Sequence, residues 1–214
     1  MASTHAAAPG GDRRRQRRAA TKAEILRIAA ELMAAEGAGG LSLSAIARRM
    51  GIQPPSLYKY FSSRNAVYDA LFAEGQRAFS AALREGAEGA PPGLPALEAG
   101  VTAGLRWAVE HPPLAQLLFW RPVPGFTPSA ESYAPALEAV GRIADLVAGA
   151  VHEGHLHPDA ATDEGRELLG VLLAGVVTQQ LANDPGTAFA EGRFSRHTPA
   201  VLRAFRLHYP PPAA

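Results

Sequence analysis

The sequence contains no cysteine, which excludes disulfide bonds, zinc–thiolate centres and cysteine nucleophiles. It begins without the apolar stretch of a secretory signal, so we expect a cytoplasmic protein. The longest apolar stretch, residues 168–183, is interrupted by glycine, threonine and glutamine and is a poor candidate for a membrane span. Strand patterns are almost absent, because apolar residues recur at spacings of three and four instead of alternating with polar ones. We therefore predict an all-α protein.

Hydrophobic residues make up 47% of the 214 residues, enough for one sizeable core or two modest ones. The net charge of +1 conceals a strong asymmetry along the chain. Residues 1–64 carry eleven Lys or Arg against four Asp or Glu, whereas the remainder carries ten against sixteen. A basic end joined to an acidic remainder is the pattern expected when only one end meets a polyanion.

Two composition changes divide the chain. Residues 1–19 crowd five arginines together and have few large apolar groups, so we predict a disordered basic arm that meets the polyanion. The arginines are Arg13, Arg14, Arg15, Arg17 and Arg18. The stretch GAEGAPPGLP, Gly86–Pro95, is dense in glycine and proline and marks a boundary between domains. We expect one domain over residues 20–86, a second over 87–209, and a disordered tail over 210–214.

The first domain has the spacing of a helix-turn-helix. Thr21 is placed to cap a first long helix, and Ser42 to cap a short helix that runs through Met50. Gly51 can adopt the left-handed conformation that a tight turn needs, and a second short helix then runs to about Tyr60. A longer helix follows Ser62 or Ser63 and ends near Gly86.

The second short helix is polar on its outer side, as expected of an element that enters a DNA major groove. Because a residue before proline avoids the helical region, Gln53 and Pro54 should be extended and Pro55 should be the first helical residue. The polar candidates on or beside this helix are Gln53, Ser56, Tyr58, Lys59 and Tyr60. The alternative is a plain helical hairpin without DNA contacts, which the basic residues at the N-terminus make less attractive.

Residues 21–71 resemble the DNA-binding domain of TetR-family transcriptional repressors. The resemblance is carried by AEILRIAAELMAAEG, LSLSAIARRMGI and SLYKYFSSRNAVYDAL. It implies that Ser42, Tyr58, Lys59 and Arg64 contact backbone phosphates. Gln53 departs from the family pattern, which usually has Ser or Thr there, and Arg64 stands where Lys is usual. A glutamine amide can form two hydrogen bonds with adenine, so Gln53 is a candidate for reading a base.

In this family the remainder of the chain binds a small molecule and forms a homodimer. The segment from Trp107 through His111-Pro112 resembles a C-terminal subfamily with a Trp, a His-Pro and a later His-Gly pair, although Ala174 precedes Gly175 here. Apolar side chains cluster in this segment, either as plain core or as a pocket for an apolar or aromatic ligand. The candidate ligand residues are Trp107, His111, Leu118, Phe119, Trp120, Phe126, Tyr133, Leu137, Val176 and Gln179. Of these, His111, Tyr133 and Gln179 are the expected polar anchors.

The predicted helix over residues 162–182 is apolar all round, so one of its stripes needs a partner beyond the domain core. We expect a dimer interface that this helix forms with the last helix. The candidates are Leu169, Leu173, Val177, Leu181, Val201, Leu202 and Phe205. In the alternative, the last helix covers the second stripe within a monomer.

Other classes of function find less support. His152, His155 and His157 with Asp159 invite a metal site, but the glycine and proline beside them favour an ordinary turn, so we predict no metal or other cofactor. Phosphate-binding glycine loops, nucleophile elbows and paired carboxylates are all missing, so we do not expect an enzyme. The resemblance implies a ligand-responsive repressor released from a near-palindromic operator. A DNA-binding regulator or architectural protein without a ligand is the alternative.

Overall fold

A computed structural model describes residues 9–212, and within this range it contains nine α-helices and no strand. The prediction of an all-α protein is confirmed. The helices are α1 Pro9–Glu36, α2 Leu43–Arg49, α3 Pro54–Leu57, α4 Arg64–Ala87, α5 Leu94–Glu110, α6 Pro112–Phe119, α7 Ala130–His152, α8 Asp163–Asn183 and α9 Thr198–His208. Among these helices, none is long and apolar enough to cross a membrane.

Serine hydroxyl groups cap the N-termini of α2 and α4 in the DNA-binding domain. The Ser42 hydroxyl accepts a hydrogen bond from the backbone N–H of Ala45 at 3.1 Å, and α2 follows. The Ser63 hydroxyl does the same for Ala66 at the start of α4. Gly51 has φ of 67° in the turn between α2 and α3, a conformation that glycine adopts without steric cost. The Ser42 cap and the Gly51 turn were predicted from the sequence and are confirmed, and of the two serines proposed to precede α4 the structure has Ser63.

The start of α1 differs from the prediction. The helix does not begin at Thr21 but extends back to Pro9, and the Thr21 hydroxyl bonds the carbonyl of Arg17 inside the helix. Residues 13–20 consist entirely of Arg, Gln and Ala, which are strong helix formers. A disordered arm over residues 1–19 is therefore wrong for residues 9–19, while residues 1–8 lie outside the described range. Residues 12–20 are nevertheless exposed, so their charge still faces outward.

The first turn of α3 also differs from the prediction. Gln53 is extended, with ψ of 137°, but Pro54 is already helical and Pro55 is the second residue of the helix. Both prolines tolerate this position because the first N–H groups of a helix have no partner within it. The predicted end at Tyr60 is late as well, since the regular helix ends at Leu57.

The long helix α4 contributes buried side chains to the first of two hydrophobic cores and packs against helices of the second. The first core fills the DNA-binding domain and extends into the second domain, where Leu117, Val123 and Ala136 belong to it. The second core lies among α5, α7, α8 and α9. Helix α4 packs extensively against α5 and α7, so it is the mechanical connection between the two domains.

Two of the three histidines in the turn after α7 form hydrogen bonds with backbone N–H groups. Nδ1 of His155 accepts from the backbone N–H of Leu94 at 3.0 Å and thereby caps α5. Nδ1 of His157 accepts from the backbone N–H of Asp159. These bonds account for two histidines of the turn as structural groups. The tail residues 210–212 have no regular secondary structure, and residues 213–214 are not described.

Candidate functional site

The outer surface of α3 carries the polar side chains that the sequence predicts. Leu57 is fully buried and fixes the helix against the core, whereas Tyr58 is 58% exposed. Gln53, Pro55 and Lys59 are exposed, and Ser56 and Tyr60 are half-buried. Ser42 is half-buried at its cap, and Arg64 is exposed in the first turn of α4. This arrangement presents hydrogen-bond donors and cations on a single protruding corner of the domain.

Gln53 occupies the N-cap position of α3 without capping the helix. Its side chain makes no capping hydrogen bond, although the backbone carbonyl accepts from the N–H of Ser56 at 2.9 Å. The side-chain amide is thus exposed at the helix N-terminus and free to bond another molecule. A cap of Ser or Thr would be turned back onto the helix.

The basic end of α1 lies beside the end of α3. The Arg18 guanidinium donates to the backbone carbonyl of Lys59 at 2.7 Å and lies over the ring of Tyr60, 5.2 Å from its centroid. Lys22 lies over the ring of Phe61 in the same way. Arg18 therefore braces the segment after α3 from α1, a contact that the sequence analysis missed. Arg13, Arg14, Arg15 and Arg17 are exposed on the same helix.

The second domain contains a cavity of about 520 Å³ between α4, α5, α6, α7 and α8. Of the ten residues predicted to bind a ligand, five line it: Leu118, Phe119, Trp120, Phe126 and Tyr133. Phe119, Trp120 and Tyr133 are between 37% and 49% exposed, so the cavity opens at this side. The size and the largely apolar wall are typical of a small-molecule site.

The other five predicted ligand residues do not line this cavity. The rings of Trp107 and His111 stack on each other at 5.0 Å, and Nδ1 of His111 bonds the carbonyl of Trp107. Leu137 is 62% exposed, Val176 is buried elsewhere, and the Gln179 side chain bonds Asn183. These residues are near the cavity in sequence, but the helical rotation directs them to other faces.

Two polar residues of the cavity wall were missed. Gln76 of α4 lines the cavity and is only 6% exposed. Arg121 follows α6 and is the only charged residue among those that line the cavity. Neither carries a signal in the sequence, because Gln76 lies in the helix assigned to the DNA-binding domain and Arg121 lies in a proline-rich loop.

Helix α4 joins the cavity to the DNA-binding domain. Its residues Phe72, Gln76, Phe79 and Leu83 form one wall of the cavity. One turn before this stripe, the Asp69 carboxylate accepts three hydrogen bonds at the start of α7: from the Ser129 backbone N–H at 2.7 Å, and from the Ser129 and Ser132 hydroxyls at 2.8 Å each. We call these bonds the Asp69 latch. The latch ties α4 to α7 beside the cavity.

The stripe assigned to a dimer interface lies inside the protomer. Leu169, Leu173, Val177, Leu181, Leu202 and Phe205 are all buried in the second core, and Val201 is half-buried. The six buried residues therefore offer no free surface to a partner, since the domain core and α9 surround them and Leu173 and Val177 also line the cavity. The assignment of Val201 to an interface stays a prediction. The exposed face of α8 is different and includes Val171, 68% exposed, and Thr178.

Two family models match most of the chain. A model of bacterial regulatory proteins of the tetR family matches residues 25–71, and a model of the tetracyclin repressor-like C-terminal domain matches residues 97–207. The chain belongs to the TetR family. This family consists of DNA-binding transcriptional regulators, which are not enzymes.

This TetR-family chain is also similar to individual regulators and solved structures. It is 29% identical over 147 residues to the HTH-type transcriptional regulators Rv1816 of Mycobacterium tuberculosis and Mb1846 of Mycobacterium bovis, over 67% of this chain and 63% of theirs. Among solved structures, SCO4313 has a TM-score of 0.73 at 28% identity, with 89% of this chain and 97% of that one covered. The TetR family transcriptional regulator PfmR from Thermus thermophilus has a TM-score of 0.65 at 19% identity, covers 85% and 96% of the two chains, and supports the fold alone.

Proposed function

We propose that this TetR-family protein is a cytoplasmic, homodimeric repressor of transcription that a small, largely apolar molecule releases from a near-palindromic operator. The observation that carries the proposal is the position of α4. This one helix begins in the core of the DNA-binding domain and continues as a wall of the cavity. A molecule that changes the shape of the cavity therefore acts on a helix that also packs against α1 in the domain that carries α3.

The DNA contact follows from the exposed corner around α3. Lys59, Arg64 and the arginines of α1 supply charge for phosphates, which determines affinity and its dependence on salt. Gln53 offers an amide without an intramolecular cap bond, which suits the recognition of one adenine in the major groove. Sequence preference is then expected at few positions.

The dimer uses the exposed faces of α8 and α9. On α8, Val171, Gly175 and Thr178 lie on one outward face and are small or moderately sized, so a second helix can approach closely. On α9, Leu207 is 73% exposed. When two protomers join through these faces, apolar side chains that water contacts in the monomer become buried. This burial of apolar surface stabilises the dimer.

A dimer holds two copies of α3, which must enter successive major grooves about 34–36 Å apart. A tilt of α4 moves each α3 and changes this separation. A change of a few ångströms is sufficient to lose the fit to both half-sites. The ligand and the operator thus weaken each other's binding through the position of α4, although they bind to different surfaces.

The test begins with the selection of DNA fragments from a random pool by the purified protein. The proposal predicts a near-palindromic consensus whose half-sites are one helical turn apart. A screen of small apolar molecules by thermal shift then identifies those that stabilise the protein, since a ligand of the folded state raises its apparent stability. A stabilising molecule that lowers affinity for the selected DNA supports the proposal. A DNA consensus without any stabilising molecule would favour a regulator that has no ligand.

A further inference from the structure

The side-chain amide of Gln76 lies inside the cavity without a partner. Gln76 is 6% exposed and lines the cavity among the apolar side chains of Phe72, Phe79 and Leu83. Within residues 9–212 its amide forms no hydrogen bond, unlike Gln180, whose buried amide bonds Asp184 and the backbone near Ser195. Among the described residues, every side-chain polar atom that is completely inaccessible to solvent has a hydrogen-bond partner. The Gln76 amide has none, so its atoms must be accessible from the open space of the cavity. Polar groups in protein interiors normally have partners, and this amide is placed for one inside the cavity.

Arg121 stands at the mouth of the same cavity in an unusual conformation. It is the only non-glycine residue in the described part of the chain with positive φ, at 49°. It also precedes Pro122, and residues before proline favour the extended region, so the conformation is unfavourable on both counts. The side chain is exposed and forms no ion pair within the described residues. Arg121 is the one charged group among the described residues that line the cavity.

We propose that the ligand of this cavity is an apolar organic acid with a second, hydrogen-bonding group: the acid binds Arg121 at the mouth, and a hydroxyl or carbonyl binds the Gln76 amide inside. The proposal rests on the proposed function, because it names the chemical class of the molecule that releases the DNA. Gln76 can donate and accept, so it selects a polar group by position. Arg121 supplies the charge-assisted bond that favours an anion over a neutral molecule of the same shape.

The role of Arg121 is measured with two fluorescent probes that share a body. Anilinonaphthalene sulfonate is an anion, and N-phenylnaphthylamine lacks the sulfonate. We expect Arg121→Asn to weaken binding of the sulfonate about 10-fold, the size of a charge-assisted bond at an exposed site, and to leave the neutral probe unchanged. Asn tolerates positive φ, so this variant keeps the loop conformation.

Two further variants serve as controls for Arg121. Arg121→Lys should restore most of the affinity for the sulfonate, because it returns the charge. Arg77→Asn removes an exposed arginine of α4 that does not line the cavity and should change neither probe. Equal affinities of wild type and Arg121→Asn for the anionic probe would overturn this half of the proposal. Equal weakening of both probes would overturn it too, since it would indicate altered cavity shape instead of lost charge.

The role of Gln76 is measured with naphthol and methylnaphthalene, which have nearly the same shape but differ in the hydroxyl. Both are titrated against bound N-phenylnaphthylamine, and their ratio of affinities is compared between variants. We expect wild type to favour naphthol and Gln76→Leu to shift the ratio about 10-fold toward methylnaphthalene, because the variant lacks the bonding amide. Gln116→Leu, in α6 and outside the cavity wall, should leave the ratio unchanged. An unchanged ratio in Gln76→Leu would overturn the inner anchor.

These measurements separate the ligand class from the proposed function. If both fluorescent probes bind wild type, and the substitutions at Arg121 and Gln76 have no effect, the proposed ligand class is contradicted. The proposal of a ligand-responsive repressor then still stands. Failure of both probes to bind wild type would contradict the cavity as a ligand site, and with it both proposals.

Discussion

The Asp69 latch should contribute measurably to stability and should connect the cavity to the DNA-binding domain. Its carboxylate accepts three hydrogen bonds of 2.7–2.8 Å from Ser129 and Ser132. Hydrogen bonds to a charged group contribute about 1.5–3 kcal/mol each when buried and less when water reaches them. Ser129 is exposed and Ser132 is buried, so we expect Asp69→Ala to lower the free energy of unfolding by about 2–3 kcal/mol in total.

A double-mutant cycle isolates the part of this energy that belongs to the latch. Asp69→Ala, Ser132→Ala and the double variant are unfolded in urea at neutral pH and at one protein concentration. We expect a coupling energy of about 1 kcal/mol between the two positions. Asp145→Ala, which removes an exposed carboxylate of α7, should change stability little and is the matched control. A coupling energy indistinguishable from zero would refute the latch as a stabilising contact.

The same latch predicts a dependence on pH. Burial alone would raise the pKa of Asp69, but the hydrogen bonds from Ser129 and Ser132 outweigh burial and hold the pKa below its ordinary value of 3.8. A carboxyl group whose pKa is lowered by folding stabilises the protein above its unfolded pKa and loses this contribution as the pH falls. The stability difference between wild type and Asp69→Ala should therefore be constant at neutral pH and should shrink below about pH 4. A difference that persists undiminished at lower pH would contradict this assignment.

The remaining predictions concern DNA and the dimer. Lys59→Ala should weaken operator binding at all sequences, whereas Gln53→Ala should relax the preference at one base pair by about 1–3 kcal/mol, both measured on selected and mutated fragments. Alanine in place of the arginines at 13–17 should flatten the dependence of affinity on salt, and an unchanged slope would show that this end of α1 does not contact DNA. Val171→Arg should give folded monomers in light scattering, whereas Leu169→Arg, at a fully buried position outside the cavity wall, should unfold the domain because it buries an unpaired charge. A folded Val171→Arg dimer would contradict the proposed interface.

The helices and the DNA-binding motif could be predicted from the sequence because local signals determine them. Ser42 and Gly51 act within a few residues of their own position, and the structure has each in its predicted role. Ser63, one of two serines that the sequence offered before α4, caps that helix. The start of α1 was missed because a plausible cap at Thr21 outweighed the helix propensity of the arginine and alanine residues before it. Propensity prevails there, since the helix continues without a break back to Pro9.

To predict the residues of the cavity and of the interface, one must know which side of each apolar helix faces the core. Local sequence patterns do not contain that information. Helix α8 is apolar on several sides, so periodicity shows two stripes without showing which one the protomer covers. The structure buries the stripe with Leu173 and leaves Val171 exposed. The cavity wall joins elements far apart in sequence, and its inner polar group, Gln76, stands in the helix that sequence reasoning assigned to the other domain.

We propose that the cavity and the DNA surface are coupled through α4. The direct measurement uses the selected operator and anilinonaphthalene sulfonate as the occupant of the cavity. Operator affinity is measured with and without saturating probe, and probe affinity with and without operator. We expect the operator and the probe to weaken each other's binding by the same factor, as thermodynamic linkage requires. Binding of the probe in the cavity with no change in operator affinity would contradict the claim.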